Sequence, residues 1–344
     1  MTRMVEQSSG VGNGAAVSRA VFSSSFGMRS LRSVLLLAGG VRRGRMGQAL
    51  GRPLVDLPVP KHGSMLGAWS EQVSGLAKVI GGPIQVRAMV SQQLQLPRAV
   101  KPCAGVELIA EYDKGEFRGT GGLLRDVTDE YEDDDFILAV TANQVLLTNL
   151  SELFEVLRST QAKAGADVVL LSEPDGSASG FILIRCACLR GIRGNGYLDF
   201  KEQSLPQIAK EFVVKVAKSP RRAALPVRTL EQYIRTLRVL HTGDLELEVE
   251  PRIDPYEEEW TAAFAMVDET ASVAKGAIVH DSVVMRNAKV GAGAVLVRSL
   301  VCEGAVVEAG RVVYDSVIAS ESNESFNQTR APELLRADES KEAR

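Results

Sequence analysis

A chain of 344 residues with 45% hydrophobic and 24% charged residues can bury a full core and hold more than one domain. A formal net charge of −3 gives no global attraction to nucleic acid or anionic membrane, and 5% aromatic residues argues against a base-stacking surface, so small molecules or proteins are the expected partners. No apolar stretch approaches the roughly eighteen residues of a membrane span, and the run Arg29 to Ala38 is too short for a leader and is closed by Arg42-Arg43, so the expected location is the cytoplasm.

Residues 1–30 are rich in Ser, Gly and Ala without periodicity, which predicts a disordered arm. From 31 to 248 short Leu-rich or β-branched runs alternate with helical patterns. Strands are predicted at Ser33 to Leu37, Ile84 to Val90, Val106 to Ala110, Phe136 to Thr141, Asp167 to Leu171, Phe181 to Ile184 and Val213 to Ala217. Helices are predicted at Met65 to Val79, Leu150 to Ala164, Ser204 to Lys210 and Thr229 to His241. Such alternation indicates an α/β domain with a mostly parallel, Rossmann-like sheet covered on both faces. Ligands of such sheets bind beyond the carboxyl ends of the strands. The first predicted strand ends there in Leu37-Ala38-Gly39-Gly40, followed by Arg42, Arg43, Gly44 and Arg45. Glycines let backbone amides approach phosphate oxygens and arginines add charge-assisted forks, so the stretch reads as a strand feeding an anion-binding loop. The blander reading is a strand-exit turn with solvated arginines. Gly119-Thr120-Gly121-Gly122 reads either as a second such element or as a tight loop entering a helix.

After a linker at 249–269, a different grammar occupies 270–318. Gly276, Gly293 and Gly310 share a column at a period of seventeen, as do Ser282, Ser299 and Ser316, and Asn287 and Gly304. Small residues also recur every five or six positions within a row. A three-sided coil needs about six residues per side, with a small residue at each tight inside corner, so this is expected to be a parallel β-helix of about three coils. A polar tail is predicted at 319–344. The four dispersed cysteines, Cys103, Cys186, Cys188 and Cys302, lack zinc-knuckle spacing and read as buried thiols in a reducing compartment.

Leu-Ala-Gly-Gly at 37–40, Leu57-Pro58-Val59, Gly119 to Gly122 and the terminal coils together resemble the sugar-phosphate nucleotidyltransferases, the nucleotide-sugar pyrophosphorylases that include mannose-1-phosphate guanylyltransferases and glucose-1-phosphate adenylyltransferases. The resemblance covers most of 33–318 and implies a left-handed coil. It also implies attack of a sugar 1-phosphate on the α-phosphorus of a nucleoside triphosphate, with release of pyrophosphate. Arg45 and Arg52 would then be catalytic, and Leu37, Ala38, Gly39, Gly40, Gly44 and Gly119 to Gly122 would hold the nucleotide. Departures fall on the chemistry. Gly44 stands two places late in the loop, and Arg52-Pro53 replaces a Lys-Pro. The Mg²⁺-binding Asp expected after a central strand is replaced by Asn143 or Gln144, and the second is missing from Leu225 to Glu231. A neutral amide binds Mg²⁺ far less well than a carboxylate. Asp199 borders the expected site and reads as functional or as a helix-entry cap; Asp133-Asp134-Asp135 precedes its strand and should lie at the wrong end of the sheet. The chain also runs from Leu171 to Gly180 without the sugar-binding excursion of the family.

Two functions follow from the resemblance. One is a divergent nucleotidyltransferase, using Mg²⁺ if active, with catalysis weakened or lost. The other is a non-catalytic nucleotide-sugar-binding or regulatory subunit that associates through its coils, as a homo-oligomer or with an active paralogue. A hexapeptide acyltransferase is a remote third, with His280 as its only candidate base in the coils.

Overall fold

The computed structural model describes residues 31–39, 44–113, 118–192, 196–243 and 263–320. The predicted arm, most of the linker and nearly all of the tail lie outside these residues.

The first unit is built on seven strands: β1 (Leu31–Leu37), β2 (Ile84–Val90), β3 (Val106–Tyr112), β4 (Phe136–Thr141), β6 (Val168–Ser172), β7 (Ala178–Arg185) and β8 (Val214–Lys218), in the order β3-β2-β1-β4-β7-β6-β8. All neighbours are parallel except β7, which runs antiparallel to both β4 and β6. The antiparallel insertion has a local cause. With no long excursion after β6, the chain turns back through Glu173 to Ser177, closed by the Glu173 amide on the Ser177 carbonyl at 2.8 Å and the Gly176 amide on the Glu173 carbonyl at 3.0 Å. A hairpin reverses direction where a crossover would not.

Alternation along the buried strands sends side chains to two cores. Val34, Leu36, Leu138 and Val140 meet Trp69, Val73 and Leu76 of α2 (Met65–Ile80) and Leu153, Phe154 and Leu157 of α4 (Leu150–Ala164). Leu35, Ile137 and Ala139 face the other way, onto Leu123 and Leu124 of α3 (Gly119–Val127), Leu189 of α5 (Cys186–Arg190) and Ile208 of α6 (Leu205–Glu211). Burying each such aliphatic side chain contributes about 1.5–3 kcal/mol. The helices start and stop where caps dictate. Ser64 accepts the Gly67 amide at 3.1 Å to open α2, and Gly81 ends it in the left-handed region at φ 78°.

The short helix α1 (Arg45–Leu50), the longer α7 (Leu230–Thr242) and a ladder of β5 (Gln144–Leu146) with β9 (Ala224–Pro226) lie toward the second unit. Met46, Leu50, Leu57, Val59, Val145, Val227, Tyr233 and Leu237 form one buried cluster with Phe264, Val283, Met285, Leu300 and Cys302. The two sequence grammars therefore share a core.

The second unit consists of short parallel strands in three sheets. One stacks β10 (Ala265–Val267), β13 (Ser282–Val284), β16 (Leu300–Val301) and β19 (Val317–Ile318). A second stacks β11 (Ser272–Val273), β14 (Lys289–Val290) and β17 (Val306–Val307), and a third β12 (Ile278–His280), β15 (Val295–Val297) and β18 (Val312–Tyr314). Partners such as Ile278, Val295 and Val312 recur at the predicted period. This run of parallel strands fits a β-helix, and its first strand precedes residue 270. The repeated columns have physical jobs. Gly276, Gly293 and Gly310 all take positive φ, and so do Asn287 with Gly304 and Asp281 with Arg298 and Asp315. These are left-handed corners, which glycine, Asn and Asp tolerate best. The serines form an internal ladder: the Ser299 amide donates to Ser282 Oγ at 2.9 Å and the Ser316 amide to Ser299 Oγ at 3.3 Å.

Candidate functional site at the sheet switch point

From β1 the chain crosses to β2 on one side, and β4 later joins β1 on the other, so the order of the sheet reverses at β1. The crevice beyond the carboxyl ends of β1 and β4 is the place where such a sheet receives a ligand. The backbone leaves β1 under tight control: the Ala38 amide donates to the Met89 carbonyl at 3.1 Å and the Ala142 amide to the Leu37 carbonyl at 3.2 Å. Leu37 is half-buried, Ala38 buried and Gly39 exposed. A β-carbon on Gly39 would sit 3.0 Å from the Ser91 amide nitrogen, so a side chain there would have to push the backbone beyond β2 by a few tenths of an ångström, and glycine lets the two segments pass closely. Gly40 lies outside the described residues. Gly44 precedes α1 in extended backbone, and its carbonyl accepts the Gln48 amide at 3.1 Å. Arg45 is the first residue of α1.

The other predicted residues distribute unevenly. Arg52 donates to the Leu96 carbonyl at 3.0 Å and lies 3.7 Å from the Asp56 carboxylate, contacts that tie it into the segment bordering the second unit. Gly119 takes φ 66°, and a β-carbon there would meet the Leu198 carbonyl oxygen at 2.4 Å. On Gly121 it would meet Ser204 Oγ at 2.2 Å. The Gly121 amide donates to the Leu198 carbonyl at 2.9 Å, and Arg118 is paired with Asp113 and Asp126. The glycines of this motif thus seat the start of α3 against 197–199; Thr120 is half-buried beside them. Asp199 caps the turn that follows, its Oδ1 accepting the Lys201 and Glu202 amides at 2.8 Å each.

At the end of β4 the two places where carboxylates were expected come together. Gln144 lies opposite Pro226 in the β5–β9 ladder, and the Val227 amide donates to the Asn143 carbonyl at 2.9 Å. Both places are neutral. Asn143 Oδ1 and Gln144 Nε2 are buried with no hydrogen-bond partner, and Gln144 is 8% exposed. Among the described residues no group of three His, Cys, Asp or Glu side chains could hold a metal ion. Two amides do not fit Mg²⁺, which is held through carboxylates and phosphates. The triple Asp is engaged at the opposite end of the sheet, Asp135 with Arg32 at 2.8 Å and Asp134 with Arg185 at 3.6 Å, while Asp133 pairs with Arg190. His280 is half-exposed at the end of β12, 3.5 Å from Asp281. Burial pushes the thiols of Cys186, Cys188 and Cys302 up to about 12, which makes them unreactive near neutral pH.

Two contributors escaped the sequence reading. Gly180 takes φ 84°, and a β-carbon there would lie 2.8 Å from Thr141 Oγ1 at the lip of the crevice. Trp69 donates its indole N–H to the Ala142 carbonyl at 2.9 Å, locking the end of β4 from below. The glycine directly before Phe181 was the available signal for the first; nothing in the sequence marked the second.

No family model and no curated protein matches the chain. Among solved structures it is similar to the crystal structure of the Mycobacterium tuberculosis Rv0371c homologue from Mycobacterium sp. strain JC1, at 16% identity and a TM-score of 0.40, over 62% of this chain and 100% of that one. That likeness is too slight to transfer function.

Proposed function

We propose that this chain is a divergent relative of the sugar-phosphate nucleotidyltransferases that binds a nucleotide sugar, or a nucleoside triphosphate and a sugar phosphate, at the β1 switch point, with turnover weakened or lost. In this reading the second unit is a left-handed β-helix through which the chain associates with itself or with an active paralogue. The observation that carries it is the β5–β9 ladder. Positions 144 and 226, far apart in sequence, lie side by side beside the β1 exit, and both are neutral. Binding needs only the backbone amides and the glycine clearance at Gly39, whereas in-line phosphoryl transfer needs charge stabilisation that these amides do not supply. No step through Mg²⁺ is drawn from this residue set.

The test is a panel of nucleoside triphosphates and sugar 1-phosphates with Mg²⁺, read by thermal shift and by pyrophosphate release. The expected outcome is a saturable rise in Tm with at least one nucleotide and release at background. Release at enzymatic rates would make the chain an active transferase, and the absence of any Tm shift would remove the reading.

A further inference from the structure

The two outer strands of the seven-stranded sheet, β3 and β8, each have a partner strand on one side and, among the described residues, none on the other. Such an edge presents a row of backbone N–H and C=O groups to any extended segment that can pair with it. Both edges run in the same direction. β3 is parallel to β2, β2 to β1 and β1 to β4, while β7 opposes both β4 and β6, and β8 follows β6 in parallel. The core shared with the second unit includes no residue of either strand.

Alternation fixes what each edge shows. Val106, Leu108 and Ala110 of β3 pack toward α2 and α4, so Glu107, Ile109 and Glu111 project from the α3 face of the sheet. Val214 of β8 packs on that same α3 face and Ala217 on the opposite one, so Val216 and Lys218 stand on the α3 face and Lys215 on the other. Glu107, Lys215 and Lys218 are exposed, Val216 is 64% exposed and Ile109 36%. Glu111 is half-buried and is held from within by Arg87. One edge is therefore an apolar side chain between two acids, the other an apolar side chain beside a base, at the same spacing of two residues.

We infer that β8 of one copy adds in parallel to β3 of the next, joining copies of this chain head to tail through a continuous sheet. With Val216 opposite Ile109, the spacing brings Lys218 opposite Glu111, so that apolar meets apolar and base meets acid across the seam. The symmetric alternatives set like charges together. Two β3 edges paired about a two-fold axis at Ile109 run antiparallel and place Glu107 of each copy opposite Glu111 of the other, and two β8 edges crowd Lys215 and Lys218 of both copies. Seven strands at about 4.8 Å and about 20–25° of twist each turn successive copies by roughly 140–175° and advance them roughly 34 Å, so growth follows an open helix and not a ring. The seam uses neither the β1 crevice nor the second unit, so its failure and that of the nucleotide reading are distinguishable.

The test is sedimentation velocity of the full chain over a wide range of concentration, repeated on Ile109→Lys, Val216→Lys and Lys218→Glu. All three positions reach solvent, so the variants are expected to keep the wild-type Tm. Wild type is expected to rise in weight-average mass by about twofold or more with concentration, without halting at a fixed stoichiometry. Ile109→Lys and Val216→Lys are each expected to lose that growth, and Lys218→Glu to shift it to about tenfold higher concentration. Ile109→Lys keeps an intact β8 edge and Val216→Lys an intact β3 edge, so an equimolar mixture of the two is expected to regain an association that neither shows alone, which a symmetric seam does not allow. A wild type that stays one species at every concentration, whether its edges are bare or covered by another part of the chain, would overturn the assignment. So would growth unchanged in any of the three variants, or a mixture no more associated than its components.

Discussion

At the scale of single residues, the glycines divide into those that make room for backbone and those that only turn it. Gly119 does both: its φ is 66°, and the Leu198 carbonyl oxygen and carbon lie 2.4 and 2.7 Å from where a β-carbon would stand. Gly176 takes φ 88° at the hairpin tip with nothing within 4 Å. Gly176→Ala therefore pays only the left-handed penalty, about 1 kcal/mol. Gly119→Ala must also push the 197–199 segment off α3 and is expected to cost about 3 kcal/mol or more. Urea denaturation of the two variants checks this, and equal losses would mean that the α3 contact is not rigid. The same comparison bears on the candidate site. The Gly-Thr-Gly-Gly motif admitted two readings in sequence, and its observed neighbours are protein backbone, so its glycines are explained by packing whether or not a ligand lies beyond them.

At the scale of elements, long periodic segments were legible and short ones were not. The predictions for β2, β4 and α4 agree with the observed limits, α2 runs one residue further, and α6 and α7 are each shifted by one residue at both ends, because an apolar run or a helical stripe of that length has one good burial. Helices α1 and α5 and the β5–β9 ladder went unread: elements of three to six residues carry no period, and their place is set by tertiary contacts. The antiparallel course of β7 was likewise hidden, since strand direction depends on connection length. At the site, the β1 exit and the neutral β4 exit were legible; the pairing of 144 with 226 and the tethering of Arg52 were not. Arg52 illustrates why. It lies near Asp56 in the short helical turn Leu54–Asp56, whose carboxylate accepts the Arg98 amide at 3.0 Å and has a second oxygen buried without a hydrogen bond. Burial, the largest influence, lifts this carboxyl above its ordinary 3.8 despite the nearby arginines. The folded protein then holds this proton more tightly than the unfolded chain, so its contribution to stability is full below the ordinary value and is lost as pH rises through the folded one. Asp56→Asn keeps an acceptor for Arg98 and removes that slope. Urea midpoints of wild type and variant, measured from acid to neutral pH, should diverge in the variant's favour as pH rises; parallel curves would show that the buried oxygen is hydrated.

At the scale of the whole molecule, the stacked parallel strands of the second unit are anchored to the sheet unit by the shared core and by ion pairs of unequal worth. Asp281 sits at a left-handed corner with its side chain 3% exposed, where it receives Arg238 of α7 at 3.1 Å through Nε and the Phe264 amide at 3.2 Å. Seventeen residues on, at the equivalent corner, Arg298 pairs with Asp315 at 2.6 Å with both side chains about half exposed. The geometry of the second pair is good, but water screens it, and such pairs contribute about 0–1 kcal/mol. Removing Arg238 leaves a buried carboxylate with the Phe264 amide and, 3.5 Å away, the His280 ring, a loss of several kcal/mol in closed sites; the partial exposure of Arg238 and the nearby imidazole reduce this to about 2–3 kcal/mol. Hydrogen exchange separates the two. Arg238→Met is expected to lower the protection of amides in 263–320 relative to those of α2 and β1, because the loss falls on the junction, whereas Arg298→Met leaves the pattern unchanged. Protection that falls evenly across both units in Arg238→Met would mean that the shared core alone makes them one cooperative body, with the ion pair adding stability but not connection.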